Sequence, residues 1–144
     1  STAVTLAETG HLVFATLHTM DATSLINRII DSFPSHQQPQ IRTQLSMTLK
    51  SVFSQQLLPH LTGKGMVLIS EVLMINDSVK SIIRESKIEQ IYSVIQTGKQ
   101  YGMHTMNQSL YEAIISKKIS RDVAYTYSTK KEELERLLTG VVKK

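Results

Sequence analysis

His11 to His18 reads HLVFATLH, and the residues between the two histidines, Leu12 to Leu17, are all apolar or small and rich in β-formers. A run without polar alternation suits a strand covered on both faces, as in a parallel sheet flanked by helices. The flanks fit that placement. Upstream, Ser1 to Thr9 reads as the end of a helix, with Val4, Leu6 and Ala7 apolar and Gly10 placed as its stop. Downstream, Asp21 can cap a helix that carries Leu25, Ile26, Ile29 and Ile30 on one face, ended by Phe33-Pro34. Helix, strand and helix in that order predict an α/β layer. A chain that opens inside a helix leading straight to a buried strand is expected to be a fragment of a larger domain.

Beyond Pro34 the pattern stays mixed as far as Ile75. A helix is predicted to start between Ser35 and Pro39. Ser35 with Gln38 suits a capping box and Pro39 suits the first helical position, so both starts remain open. Ile41, Leu45, Leu49, Val52 and Phe53 form its apolar stripe. Gln55 to Pro59 predicts a short strand, Thr62 to Gly65 a turn, and Met66 to Ile75 a second strong strand. From Asn76 onward the period is helical. Val79, Ile82 and Ile83 mark one helix, and Ile88, Ile91, Tyr92 and Ile95 the next, closed near Gly98. Met106, Leu110, Ala113 and Ile114 mark a third, with a short helix after Ser120. Thr129-Lys130-Lys131-Glu132 has the spacing of a capping box before a last helix with Leu134, Leu137, Leu138 and Val141. The division predicted is residues 1–75 as part of an α/β core and residues 76–144 as an all-helical region.

Composition excludes several classes. The chain has 144 residues, 41% hydrophobic and 19% charged, which allows one globular domain with a real core. Its longest apolar run, Met66 to Ile75, is interrupted by Ser70 and Glu71 and falls short of the ~20 residues that span a bilayer. There is no cysteine, hence no disulfide, thiol nucleophile or thiolate metal site. The net charge of +4 invites a nucleic-acid reading. However, Lys and Arg are interspersed with Glu85, Glu89, Glu112, Glu132, Glu133 and Glu135, without the basic stripe and exposed aromatics of such binders.

The histidines do not make a metal site. On a regular strand His11 and His18 would lie on opposite faces, ~23 Å apart at about 3.3 Å per residue. His36, His60 and His104 have no His or carboxylate at ligand spacing. His18 and Thr19 would stand at the carboxyl end of the strand, where open α/β sheets bind ligands. There an imidazole and a hydroxyl can donate to phosphate oxygens. Position alone equally allows a His that finishes the strand. His11, at the other end, reads as structural. Arg28 and Arg42, on neighbouring helices, fit either solvated surface residues or charge donors across a subunit boundary. Glu71, inside an apolar strand, needs a partner if buried, in an ion pair or an active-site network. No phosphate-cradling GxxxxGK loop, terminal strand Asp or GxSxG elbow is present. The chain is therefore expected to bind or hydrolyse nucleotide poorly or not at all by itself.

The longer phrase Ala7 to Thr19, AETGHLVFATLHT, resembles the His box of the secretion and type IV pilus ATPases. The likeness continues through Asn27 to Asp31, Phe33-Pro34, Arg42 to Leu45 and Gln55 to Pro59. Ser78 to Glu85, SVKSIIRE, resembles the AIRNLIRE motif of the PilT-type retraction branch, with Lys80 where that motif has Arg and Ser78 where it has Ala. Ile95 to Gly98 and Gly102 to Met106 are similar to the same branch. A short turn, Leu61 to Gly65, stands where many extension and secretion relatives carry a tetracysteine zinc insertion.

The resemblance implies the C-terminal part of a RecA-like P-loop ATPase domain, an α/β fold with a partial sheet, followed by a helical region. It implies a homo-hexameric motor in the cytoplasm, at the inner-membrane face, using ATP and Mg²⁺ to retract the pilus and engaging an inner-membrane platform protein. Walker A and Walker B would lie upstream. His18 would be catalytic and face the γ-phosphate, with His11 and Thr19 in the same nucleotide-binding box. Arg28, Arg42, Val79, Lys80, Ile83 and Arg84 would serve interfaces and coupling. Lys in place of Arg keeps the charge at position 80 but loses the planar fork. The competing reading is a non-catalytic interaction module of the same machinery, whose helical half docks on a partner.

Overall fold

The computed structural model describes residues 2–140. Three helices come first: α1 (Thr2–Glu8), α2 (Ala22–Asp31) and α3 (Gln38–Thr48). A hairpin follows, β1 (Ser51–Pro59) and β2 (Met66–Met74), then α4 (Asp77–Arg84), α5 (Ile91–Thr97), α6 (Met106–Ile115), α7 (Arg121–Tyr127) and α8 (Lys131–Thr139). Short 3-10 turns at Ile88–Gln90 and Lys99–Tyr101 flank α5. Among the described residues no helix is long and apolar enough to cross a membrane.

The hairpin organises the packing. Its strands pair antiparallel from Ser51 opposite Met74 to Pro59 opposite Met66. Because side chains alternate across a strand, Val52, Ser54 and Leu58 with Val67, Ile69, Glu71 and Leu73 turn to one face, and all are buried. The other face exposes Phe53, Leu57, Met66 and Leu68. One end of the inner face, Val52 and Leu73, joins Ile26, Ile30, Ile41, Leu45, Val79, Ile83, Ile91 and Ile95 in a first apolar cluster. The other end, Leu58, Val67 and Ile69, joins Leu110, Ile119, Ala124 and Leu134 in a second. His104 extends the sheet by one bridge: Val72 N–H donates to the His104 carbonyl at 2.9 Å, and His104 N–H to the Val72 carbonyl at 3.3 Å.

Local chemistry sets the helix ends. Asp21 caps α2 by accepting the Ser24 N–H at 2.7 Å, Asn76 caps α4 through Val79, and Ser120 caps α7 through Val123. Thr105 and Gln108 form a reciprocal capping box on α6. In α3 neither start holds as drawn: the helix begins at Gln38 with Pro39 second, and the Gln38 amide donates to the Phe33 carbonyl instead of boxing with Ser35.

Four expectations need correction. The predicted strand His11 to His18 is not formed, since residues 11–19 adopt neither strand nor helix. A strand covered on both faces needs neighbours for its N–H and C=O groups. None of the described elements pairs with it, and Leu12 and Phe14 remain 78% and 89% exposed. Val52 and Phe53 belong to β1, which begins at Ser51 because it pairs with β2 along its whole length. The second strand stops at Met74. The box at Thr129 to Glu132 is also absent: α8 starts after Lys130 with no side-chain cap, and Ser128 Oγ accepts the Lys130 N–H instead. Val141 lies outside the described residues.

Candidate functional site

The amides and hydroxyls around the start of α2 define the site. Thr19 N–H donates to the Leu17 carbonyl at 3.0 Å, turning the chain just before the Asp21 cap. The His18 carbonyl accepts Arg28 Nη1 at 3.3 Å, so an Arg from the far end of α2 reaches back to hold this turn. The His18 imidazole is exposed. Beside it, the Thr19 hydroxyl is shielded from solvent and has no hydrogen-bond partner among the described residues. A buried polar atom left unsatisfied is costly, and among the described residues Ser54 Oγ, Gln56 Oε1 and Tyr125 Oη share that state.

The other sequence-derived residues distribute differently. His11 Nδ1 lies 2.9 Å from Thr9 Oγ1, and its N–H donates to the Leu6 carbonyl, so it finishes α1. Arg42 is half-buried on α3. On α4, Val79 and Ile83 are fully buried in the first cluster, while Lys80 pairs with the exposed Asp77 at 3.0 Å and Arg84 faces solvent. The structure therefore brings His18, Thr19 and Arg28 together. It keeps His11 against the C-terminal end of α1 and gives α4 an anchored face and a charged face.

Behind the α2 start lies a cavity of about 220 Å³ lined by Asp21, Gln56, Glu71, Tyr92, Asn107 and Lys130, among others. Glu71 is 3% exposed, and its Oε1 accepts the Ala22 N–H at 3.0 Å. Burial pushes its carboxyl above the usual range, the Ala22 N–H opposes that, and the Asp21 charge adds to it. On the opposite wall, Tyr92 donates to Glu133 Oε2 at 2.6 Å, and Lys130 Nζ stands 3.6 Å from the Tyr92 ring centroid. Burial and the Glu133 carboxylate push the Tyr92 phenol up. Asn107 holds the loop before α8, donating to the Lys130 carbonyl at 2.9 Å and accepting from Ser128 Oγ at 2.7 Å.

Sequence reasoning identified Glu71 as a residue in need of a partner but could not find Ala22, which lies 49 positions away. It missed Tyr92, Asn107 and Lys130 as members of one polar network. The spacing of Thr105 and Gln108, readable as a capping box, would have pointed to the α6 start.

The chain matches, over residues 1–136, the family described as Type II/IV secretion system protein. It belongs to that family. A twitching motility protein of Neisseria gonorrhoeae is 49% identical over 112 residues, 78% of this chain and 30% of the relative. The type IV pilus retractation ATPase PilT of Pseudomonas aeruginosa is 43% identical over 122 residues, 85% of this chain and 35% of the relative. The crystal structure of the pilus retraction motor PilT with bound ADP superposes with a TM-score of 0.85 and 45% identity, covering 94% of this chain and 37% of that one. The mixed helix and strand architecture here is thus that of the corresponding part of PilT. The chain spans about a third of the length of these relatives.

Proposed function

We propose that this chain is the His-box and helical part of a motor ATPase that retracts type IV pili, in which His18 and Thr19 face the γ-phosphate of ATP. The observation that carries the reading is the likeness to the ADP-bound retraction motor over 94% of this chain. The geometry supports it at the site. The Thr19 hydroxyl lacks a partner among the described residues, His18 beside it is exposed, and Arg28 fixes the turn that presents both. Exposed on that turn, the imidazole can donate to phosphate oxygens as negative charge shifts in the transition state.

Bound ATP supplies the anhydride bond that is broken; the role of these residues is to orient the terminal phosphate. Mg²⁺ would be held chiefly by the phosphates of ATP, waters and one or two protein oxygens. The working unit is a homo-hexamer at the cytoplasmic face of the inner membrane, bound to a pilus platform protein. Arg28 and Arg42 serve subunit contacts. On α4, buried Val79 and Ile83 fix the helix while Lys80 and Arg84 carry coupling contacts, so residues 1–75 complete the ATPase core and residues 76–144 transmit its motion.

The test is His18→Ala in the full-length protein, with ATP hydrolysis and ATP binding measured together. The expected result is a fall in kcat of about 10²-fold or more with ATP binding weakened less, in the range seen when a single charge-stabilising donor is removed. Unchanged hydrolysis would remove His18 from the mechanism.

A further inference from the structure

Two helices begin at one buried carboxylate. Ala22 is the first residue of α2 and Met106 the first of α6. The local caps satisfy other amides: Asp21 accepts Ser24 N–H, and Thr105 accepts Gln108 N–H, each two residues further into its helix. Glu71 takes what they leave. Its Oε1 accepts the Ala22 N–H at 3.0 Å, and the Met106 N–H also stabilises its charge. The side chain projects from the inner face of β2 and is almost wholly buried. It therefore joins the strand to the first turn of α2, three residues past Thr19, and stands beside the first turn of α6.

We propose that Glu71 is a positioning residue of the nucleotide-facing turn: its carboxylate fixes where His18 and Thr19 stand and ties that placement to α6. The proposal rests on the functional reading above. A carboxylate is suited to the task because it only accepts hydrogen bonds: one oxygen holds the Ala22 N–H, and the second remains an acceptor on the side where Met106 lines the same cavity. Glutamine in its place has one oxygen and an NH₂ that would confront a backbone N–H. Aspartate keeps the charge but is one methylene shorter and would draw back from the Ala22 N–H. Hydrophobic burial alone would not call for a charge here, since an apolar side chain would fill the same space without the desolvation cost.

The experiment compares Glu71→Gln and Glu71→Asp with wild type in the full-length protein. ATP hydrolysis gives kcat and KM, and hydrogen–deuterium exchange reports on residues 19–24. Glu71→Gln should lower kcat at least tenfold with KM for ATP within twofold, because the phosphate-facing groups are misplaced while most binding contacts stay. Exchange at residues 19–24 should rise at least tenfold, with the inner turns of α2 around Ile26 and Ile30 still protected. Glu71→Asp should fall between Gln and wild type. The proposal is overturned if Glu71→Gln keeps kcat within twofold, or if its lost activity only tracks a lost folded fraction with exchange rising evenly along α2. A wild-type protein that hydrolyses no ATP would instead overturn the functional reading. In that case unchanged exchange at residues 19–24 in Glu71→Gln would overturn the clasp as well, and a selective rise would preserve its structural half.

Discussion

Leu12 to Leu17 and Val79 to Ile83 are both rich in aliphatic residues, yet they meet opposite fates. Phe14 is 89% exposed, whereas Val79 and Ile83 are fully buried. The helical stretch satisfies its backbone from within and needs a neighbour on only one stripe, which α3 and α5 supply. The other stretch asks for strands on both sides and cover on both faces, which no described element supplies. Hydrophobic content therefore does not decide burial; the availability of partners at the right period does.

Truncation at the two stretches should separate them most sharply. Ile83→Ala, in the first cluster, is expected to cost about 2–5 kcal/mol from lost transfer energy and the cavity left behind. Phe14→Ser in this chain should stay within roughly 0.5 kcal/mol, as exposed substitutions do. Urea melts of the two variants give the comparison, and equal losses would mean that residues 11–17 are packed in solution.

Helix caps come next in size. Asp21→Ala removes the acceptor for Ser24 N–H at the junction between the unpaired segment and α2, and should cost about 1 kcal/mol by thermal melting. Thr105→Ala, within the buried capping box of α6, should cost as much or slightly more, about 1–2 kcal/mol.

The pH dependence of stability sharpens the role of the clasp. The folded carboxyl of Glu71 is raised above its ordinary value of 4.5, so between that value and its folded pKa the folded state holds more protons than the unfolded. Its contribution to stability is present below pH 4.5 and is lost as pH rises through the folded pKa. Asp21 on the α2 cap pushes in the same direction, while Lys130 opposes it; Glu89 also faces the cavity. The Tm of wild type relative to Glu71→Gln should therefore decline from pH 4 toward neutrality. A flat difference would place the carboxyl at its ordinary value.

Much of the fold was legible. Helices with a period near 3.6 and a polar cap, such as α2 behind Asp21 and α4 behind Asn76, follow from nearby residues alone. The second strand was readable because Gly63 and Gly65 bracket its turn, both with positive φ. What was not legible depended on distant partners. β1 starts at Ser51 only because Met74 lies opposite, and an isolated strand pattern at His11 cannot reveal whether anything will pair with it. At the candidate site, His18 and Thr19 were singled out for the end of a strand that does not form and for the family resemblance, and the structure adds only that Arg28 reaches back to the His18 carbonyl. The Glu71 bond to the α2 start was not legible, since neither local spacing nor composition marks a hydrogen bond across the fold.

The hairpin has one further consequence. Its nine-residue strands extend about 30 Å, and a single inner face forms a wall of both apolar clusters. The two clusters share few other parts, yet neither can dissolve while the hairpin keeps its register, and the hairpin alone is too small to stand without them. The hairpin thus acts as a common spine, and the two apolar centres it joins are expected to melt together as one cooperative unit.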